Sequence, residues 1–339
     1  MKTSLVQSIM YNILLASSSR AFVRTNLPAN RLSPSFAAST KLFSTASETD
    51  QDNATRNDTV PFSPWDPERV AERAKSRSST YRARQHVNPL ASKFQQPTTL
   101  TPNWPQDTFD DLSKPLFLDI GCSRGGFLID MATTSKDENN QYLQPDYNYL
   151  GLEIRPIVVY HAQQRLEKRE EGGAEIKGKV GFVGCNANVD LERLLQLLQE
   201  KEEEALNLQM VTIQFPDPHF KARHAKRRVV RPELVTSLAT FMSPGATVWL
   251  QSDIQSVLDD MRLQFRLQNQ YFQDSISPEI DISASDENDD DEREGIQLGY
   301  VEENIFGVPT ERETSVLEKG LPVYRALFTR TDSPVSDQI

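Results

Sequence analysis

The residues best equipped for chemistry lie in one short stretch, Gln214-Phe215-Pro216-Asp217-Pro218-His219-Phe220-Lys221. A proline on each side of Asp217 fixes the local backbone, so its carboxylate is set in place at low entropic cost. Directly afterwards, His219–Arg231 carries Lys221, Arg223, Lys226, Arg227, Arg228 and Arg231 and no acid. In a chain of formal charge −11, this is a concentrated positive patch beside a fixed acid. Its natural use is to neutralise phosphates, with binding that weakens steeply in salt.

Further groups could serve the same crevice. Leu118-Asp119-Ile120-Gly121-Cys122-Ser123-Arg124-Gly125-Gly126-Phe127 reads as a strand turning into a helix through glycines. Such a turn lets backbone approach a ligand and offers free N–H donors. A dinucleotide pyrophosphate or S-adenosylmethionine would each suit it, and Asp119 at the strand end, able to hold an ammonium, favours the second. Ser123 stands where a glycine is usual. In Tyr149-Leu150-Gly151-Leu152-Glu153-Ile154-Arg155, Glu153 ends the second strand and can accept both hydroxyls of a ribose. Asn186-Ala187 follows the third strand, where a side-chain amide could read an adenine edge. Ser252-Asp253 follows the fifth, and Pro309-Thr310-Glu311-Arg312-Glu313 offers acceptors for the amino groups of a base.

These groups need a scaffold, and the apolar pattern supplies one. From Leu116 onward, short apolar runs alternate with helical stretches, the signature of an α/β fold with a parallel sheet. Strands are expected at Leu116–Ile120, Tyr149–Glu153, Val180–Gly184, Met210–Phe215 and Thr247–Gln251. Helices are expected near Phe127–Thr134, Val158–Glu170, Leu191–Leu206, Glu233–Met242 and Ile254–Gln268. Val323–Thr329 is expected to close the sheet as an edge strand. Ligands in such folds bind beyond the carboxyl ends of the strands, where strand order reverses, and the fourth strand, which carries Asp217, borders that point.

Composition narrows the class. The chain has 339 residues with 37 Lys and Arg against 48 Asp and Glu, which excludes a globally basic nucleic-acid binder. Two cysteines, Cys122 and Cys185, exclude a disulfide framework, and four histidines leave little for a metal centre, so no metal is expected. No apolar run is long enough to cross a bilayer, and no membrane association is expected.

Residues 1–47 contain no Asp or Glu, five basic residues and fourteen Ser or Thr, the composition of an organellar targeting peptide; a plastid address is expected, with the mitochondrion as alternative. Residues 48–80 read as a disordered linker leading into a basic arm, Val70–Asn88, with Arg73, Lys75, Arg77, Arg82 and Arg84. The folded domain is expected over 81–330 and a tail over 331–339. Within the domain, 279–294 hold nine carboxylates against one Arg293 and read as a solvated, disordered insertion, which accounts for most of the negative balance.

In this combination the chain resembles the tRNA guanine-N7 methyltransferases, especially the bacterial and plastid type. The resemblance rests on Arg84-Gln85-His86-Val87-Asn88-Pro89-Leu90, the glycine turn, Leu150–Arg155, Asn186-Ala187, Phe215–Lys221, the basic run, Ser252-Asp253 and Thr310–Glu313. It implies a class I S-adenosylmethionine-dependent methyltransferase: Rossmann-like, with a seven-stranded, mostly parallel sheet whose last strand is antiparallel. It implies methyl transfer from S-adenosylmethionine to N7 of a guanine in the tRNA variable loop, without an obligatory protein partner. By the same resemblance, Asp119, Gly121, Glu153, Ile154, Asn186, Ala187 and Asp217 would contact the cofactor, with Asp217 catalytic. Lys221, Arg227, Arg228, Asp253, Thr310, Glu311, Arg312 and Glu313 would contact tRNA. The absence of an Asn-Pro-Pro-Tyr motif argues against methylation of an exocyclic amine. The alternative is a catalytically inactive tRNA-binding module of the same fold, with Ser123 as the disabling change.

Overall fold

The computed structural model describes residues 63–75, 87–134, 139–143, 146–201, 206–276 and 299–335. The expected targeting segment, most of the expected linker, Arg77 to His86 of the basic arm and the acidic insertion lie outside the described residues.

The apolar runs form seven strands: β1 (Leu116–Ile120), β2 (Asn148–Glu153), β3 (Val180–Gly184), β4 (Leu208–Gln214), β5 (Met242–Ser252), β6 (Phe272–Asp274) and β7 (Tyr324–Arg330). They make one sheet in the order β3-β2-β1-β4-β5-β7-β6. β1 pairs in parallel with both β2 and β4, so strand order reverses between β1 and β4. β7 runs antiparallel to both β5 and β6. Every residue of β1, β2 and β3 is buried, as both-face coverage of a parallel sheet requires. The covering helices are α2 (Gly126–Thr133), α3 (Pro156–Glu171), α4 (Ala187–Gln199), α5 (Pro232–Phe241) and α6 (Gln255–Arg266). α3 and α5 each start on a proline, whose missing N–H costs nothing in the first turn.

Several elements differ from the sequence expectation, β5 among them, which starts at Met242 and not at Thr247. The Val323–Thr329 run is an interior strand, because the three-residue β6 pairs outside it and takes the edge. Three residues are too few for any period to show. The fourth helix stops at Gln199, before the expected Leu206. Inside the expected linker, Pro67–Lys75 forms a helix, α1, with Val70 buried. Its start is set by Asp66, which accepts the Arg69 N–H at 3.0 Å, and by Pro67 behind it. The preceding Trp65 is buried, donates its indole N–H to the Ile154 carbonyl at 3.2 Å, and packs on Phe94. A Cβ at Gly184 would lie 2.3 Å from the Trp65 ring, so the close approach requires glycine there.

After the insertion the chain is re-anchored by Phe306, fully buried with its ring 5.6 Å from Phe117, 5.7 Å from Phe127 and 5.8 Å from Trp249. This fixes the entry to α7 (Glu311–Leu317), where Thr310 and Glu313 form a capping box. Glu313 is 1% exposed, pairs with the buried Arg325 of β7 at 2.7 Å and accepts from Asn304 at 2.8 Å. Removing one partner of a buried pair strands the other charge. Glu313→Ala is therefore expected to lower the unfolding free energy by about 3–5 kcal/mol in urea titration. Glu313→Leu combined with Arg325→Met should recover most of it. An unchanged midpoint in the single variant would mean the pair contributes nothing.

Candidate functional site

Two adjoining cavities open at the carboxyl ends of β1, β2 and β4, and Gly121, Arg155, Gln214, Phe215, Pro216 and Asp217 line both. The first is walled by apolar groups, among them Ile120, Leu152, Ile154, Cys185 and Val229, with Glu153, Asn186 and Ala187 at its polar edge. The second is more polar and holds Asp119, Ser123, Asp253, Thr310, Glu311 and Arg312. The turns that shape them are strained. Ser123, Phe215 and His219 take φ of 51°, 49° and 41°, in the left-handed region that costs a side-chain-bearing residue about 1 kcal/mol. Two of the three bracket the Pro216-Asp217-Pro218 segment, which leaves β4 with the Phe215 N–H bound to the Gln251 carbonyl at 2.7 Å. Ser123 thus adopts the conformation for which a glycine is usual, and it does so without displacing the turn. At Gly125, φ is 68° and a Cβ would meet the Phe182 ring at 2.3 Å, so this position admits glycine alone.

Asp119 is 4% exposed, and its Oδ1 accepts the Thr212 hydroxyl of β4 at 2.6 Å. Burial pushes its pKa up to about 7, against the opposing hydrogen bond from Thr212. The Gln214 amide beside it opposes the rise as well, and its Oε1 and Nε2 are both buried. A buried carboxylate and a buried side-chain amide beside one open cavity fit a ligand ammonium group.

Glu153 is 3% exposed at the end of β2. Its Oε1 accepts both the main-chain N–H and the Nε–H of Arg155, each at 2.9 Å, and its Oε2 accepts Arg155 Nη2 at 2.8 Å. A carboxylate has about four lone-pair sites, so Arg155 fixes the group's orientation and leaves roughly one acceptor site, on Oε2. Arg155 lines both cavities and feels the field of Asp217 as well as of Glu153. It stands in the Leu150–Arg155 motif, yet sequence reasoning gave it no role; an Arg two residues after the ribose-binding acid was the available signal. Gln214, at the head of the Asp217 motif, was passed over in the same way.

Asn186 caps α4 through its side-chain oxygen, which accepts the Asn188 N–H at 3.2 Å. Its amide donates to the Pro89 carbonyl at 3.2 Å and to the Phe94 carbonyl at 3.1 Å. Both amide protons are engaged, so a base edge here meets the main chain of Asn186 and Ala187 more readily than the side chain expected to read it.

The residues expected to contact nucleic acid divide. Asp253 pairs with Arg312, and Glu311 pairs with Arg165 at 2.6 Å; Asp253, Glu311 and Arg312 are on the wall of the second cavity. Thr310 lines it too, whereas Glu313 is turned inward to Arg325. Arg228 is half-buried and tied to Asp260 of α6 at 2.5 Å, and Arg231 lies 3.3 Å from Glu233. Lys221, Arg223, Lys226 and Arg227 have no acidic partner among the described residues. The patch that faces a ligand is therefore smaller than the run of basic letters.

The doubly wound sheet with an antiparallel β7, and a buried acid near the end of β1 and another at the end of β2 around one crevice, define a class I S-adenosylmethionine-dependent methyltransferase. Residues 113–326 match a family model described as putative methyltransferase. The tRNA (guanine-N(7)-)-methyltransferase of Microcystis aeruginosa is 42% identical over 247 residues, 73% of this chain and 97% of its own length. The enzyme of that name from Synechococcus elongatus is 44% identical over 249 residues, 74% of this chain and 96% of its own. The chain belongs to the tRNA (guanine-N(7)-)-methyltransferase family. Among solved structures, the aminoglycoside resistance methyltransferase NpmB1 is similar over 65% of this chain and 90% of its own, at 16% identity and a TM-score of 0.36, too distant to inform the site.

An ammonium seated on Asp119 prefers the ionised carboxylate, so its binding releases a proton wherever the free protein holds one. Affinity for S-adenosylmethionine is expected to tighten as pH rises from about 5.5 toward 7 and to level off above, and Asp119→Asn should flatten the profile. Titration calorimetry across that range tests this. An Asp119→Asn profile with the same slope as wild type would remove Asp119 from the linkage.

Proposed function

We propose that this chain transfers a methyl group from S-adenosylmethionine to N7 of a guanine in the tRNA variable loop, with Asp217 as the catalytic carboxylate. The observation that carries the reading is the position of Asp217 on the shared wall of an apolar cavity containing Glu153 and a polar cavity containing Asp253 and Thr310. The apolar walls and Glu153 suit the adenosine part of the cofactor; Asp119, Gly121 and Gln214 suit its amino-acid part. When bound, S-adenosylmethionine supplies an electrophilic methyl group. Guanine N7 is an acceptor lone pair in the neutral base, so no proton has to be removed before attack. The residues' task is chiefly alignment, for which a proline-bracketed, strained loop is well suited. The guanine ring gains positive charge as it is methylated, and a carboxylate fixed beside it stabilises that charge as it develops. Lys221 and Arg227 neutralise tRNA phosphates; Arg228, tied to Asp260, supports the loop that presents them.

The assay is incubation of the purified chain with tRNA and labelled S-adenosylmethionine, then borohydride and aniline cleavage to locate N7-methylguanine. Label in the variable loop is expected with this chain alone, without a protein partner. Asp217→Ala is expected to lower the rate by at least about a hundredfold while tRNA binding persists. Normal turnover in that variant would remove Asp217 from the mechanism.

Among the described residues no helix is long and apolar enough to cross a membrane. The relatives are cyanobacterial, and the family match begins at residue 113. Together with the acid-free composition of residues 1–47, this supports import into the plastid, the mitochondrion being the other destination of such a peptide. Mass spectrometry of the mature protein is expected to find an N-terminus near Glu48; an intact Met1 would exclude cleavage.

A further inference from the structure

Phe220 is 66% exposed, the most exposed of the large apolar side chains described. A ring left in water forgoes its burial energy, and a folded chain tolerates this chiefly where something else will cover it. The loop beneath it is not slack. Pro218 precedes it, His219 is locked at φ 41°, and the Lys221 carbonyl on its other side accepts the His224 N–H at 2.7 Å. The ring stands in a groove with Lys221, His224 and Arg227, and the rings of His219 and His224 lie edge to face at 6.5 Å beside it. This groove shares Val87, His219 and Arg227 with the apolar cavity on whose wall Asp217 lies. An exposed aromatic face on a constrained loop, among cations without acidic partners, matches a nucleic-acid base by both stacking and charge.

We infer that Phe220 is a stacking platform for the tRNA base next to the target guanine. This rests on the function proposed above and adds to it a residue that recognises the substrate. To bring N7 to the donor, the guanine must leave its neighbours, and the flanking base loses a stacking partner as it goes. Phe220, three residues from Asp217 on the same stiff loop, offers that base a replacement surface and so lowers the cost of extraction.

The test uses the full chain, an unmodified tRNA transcript and labelled S-adenosylmethionine. Phe220→Ala is expected to weaken tRNA binding and lower kcat/KM for tRNA by about tenfold or more, while Phe220→Tyr and Phe220→Trp stay within about threefold of wild type. Affinity for S-adenosylmethionine should not change, and the salt dependence of tRNA binding should keep its slope, because no charge is removed. In Phe220→Trp, the added indole emission should be quenched when tRNA is added, beyond any change in wild type; this reading does not depend on how the alanine variant folds. A wild type that methylates tRNA together with a Phe220→Ala variant that binds and methylates it equally well would overturn the inference and assign the ring to a protein contact. So would unquenched emission from Phe220→Trp in the tRNA complex. A wild type that leaves tRNA unmethylated would instead sink the parent function.

Discussion

A carboxylate kept out of water at the seam between two parallel strands is the constraint around which this molecule is arranged. Asp119 stands near the end of β1 where strand order reverses, and the Thr212 hydroxyl of β4 bonds to it across the seam. Burial raises its pKa to about 7, so the fold holds this acid against its tendency to ionise. The sign of the linkage follows. The unfolded chain ionises Asp119 near 3.8 and the folded chain near 7, so folding stability falls as pH rises through that window and is flat above it. A cation bound in the cavity offsets that loss. The features that shape the turn, the positive φ of Gly121 and Ser123 and the glycine demanded by Phe182, leave space for such a ligand beside the acid.

The distribution of positive charge follows from the same sheet. Arginines that are deeply buried serve the frame: Arg262 pairs with Asp274 at 2.6 Å and Arg325 with Glu313. Arg155 is intermediate, holding Glu153 in one orientation while lining both cavities. The loop after β4 leaves Lys221, Arg223, Lys226 and Arg227 without acidic partners among the described residues, and Lys221 and Arg227 share a groove with an exposed aromatic ring. The net charge of −11 is thus silent about the face that meets an anionic substrate. It is dominated by an acidic stretch remote in sequence from every site motif.

Much of the frame was legible because both-face burial leaves an unbroken apolar run. β1 and β3 were bounded residue for residue, and β2 was short by one. What escaped was short, or signalled by capping chemistry instead of period. β6 has three residues, α7 has seven, and α1 is announced by Asp66-Pro67 more than by any apolar stripe. At the site, Asp119, Glu153 and Asp217 line the two adjoining cavities, since each lies at or just past the carboxyl end of a strand. Letters alone could not say which groups were already occupied. Arg228, Glu313 and the amide of Asn186 are polar residues in promising positions whose partners lie 32, 12 and more than 90 residues away in the chain.

The segment before β1 is stitched to the wall of the apolar cavity. Trp65 is pinned to Ile154, the Asn186 amide grips Pro89 and Phe94, and Val87 and Pro89 wall the apolar cavity. The stretch upstream of residue 113, where the family match starts, is therefore a roof and not a dispensable leader. A chain shortened beyond that indole would lose both its grip on Ile154 and its packing on Phe94, and with them the fastening of the chamber.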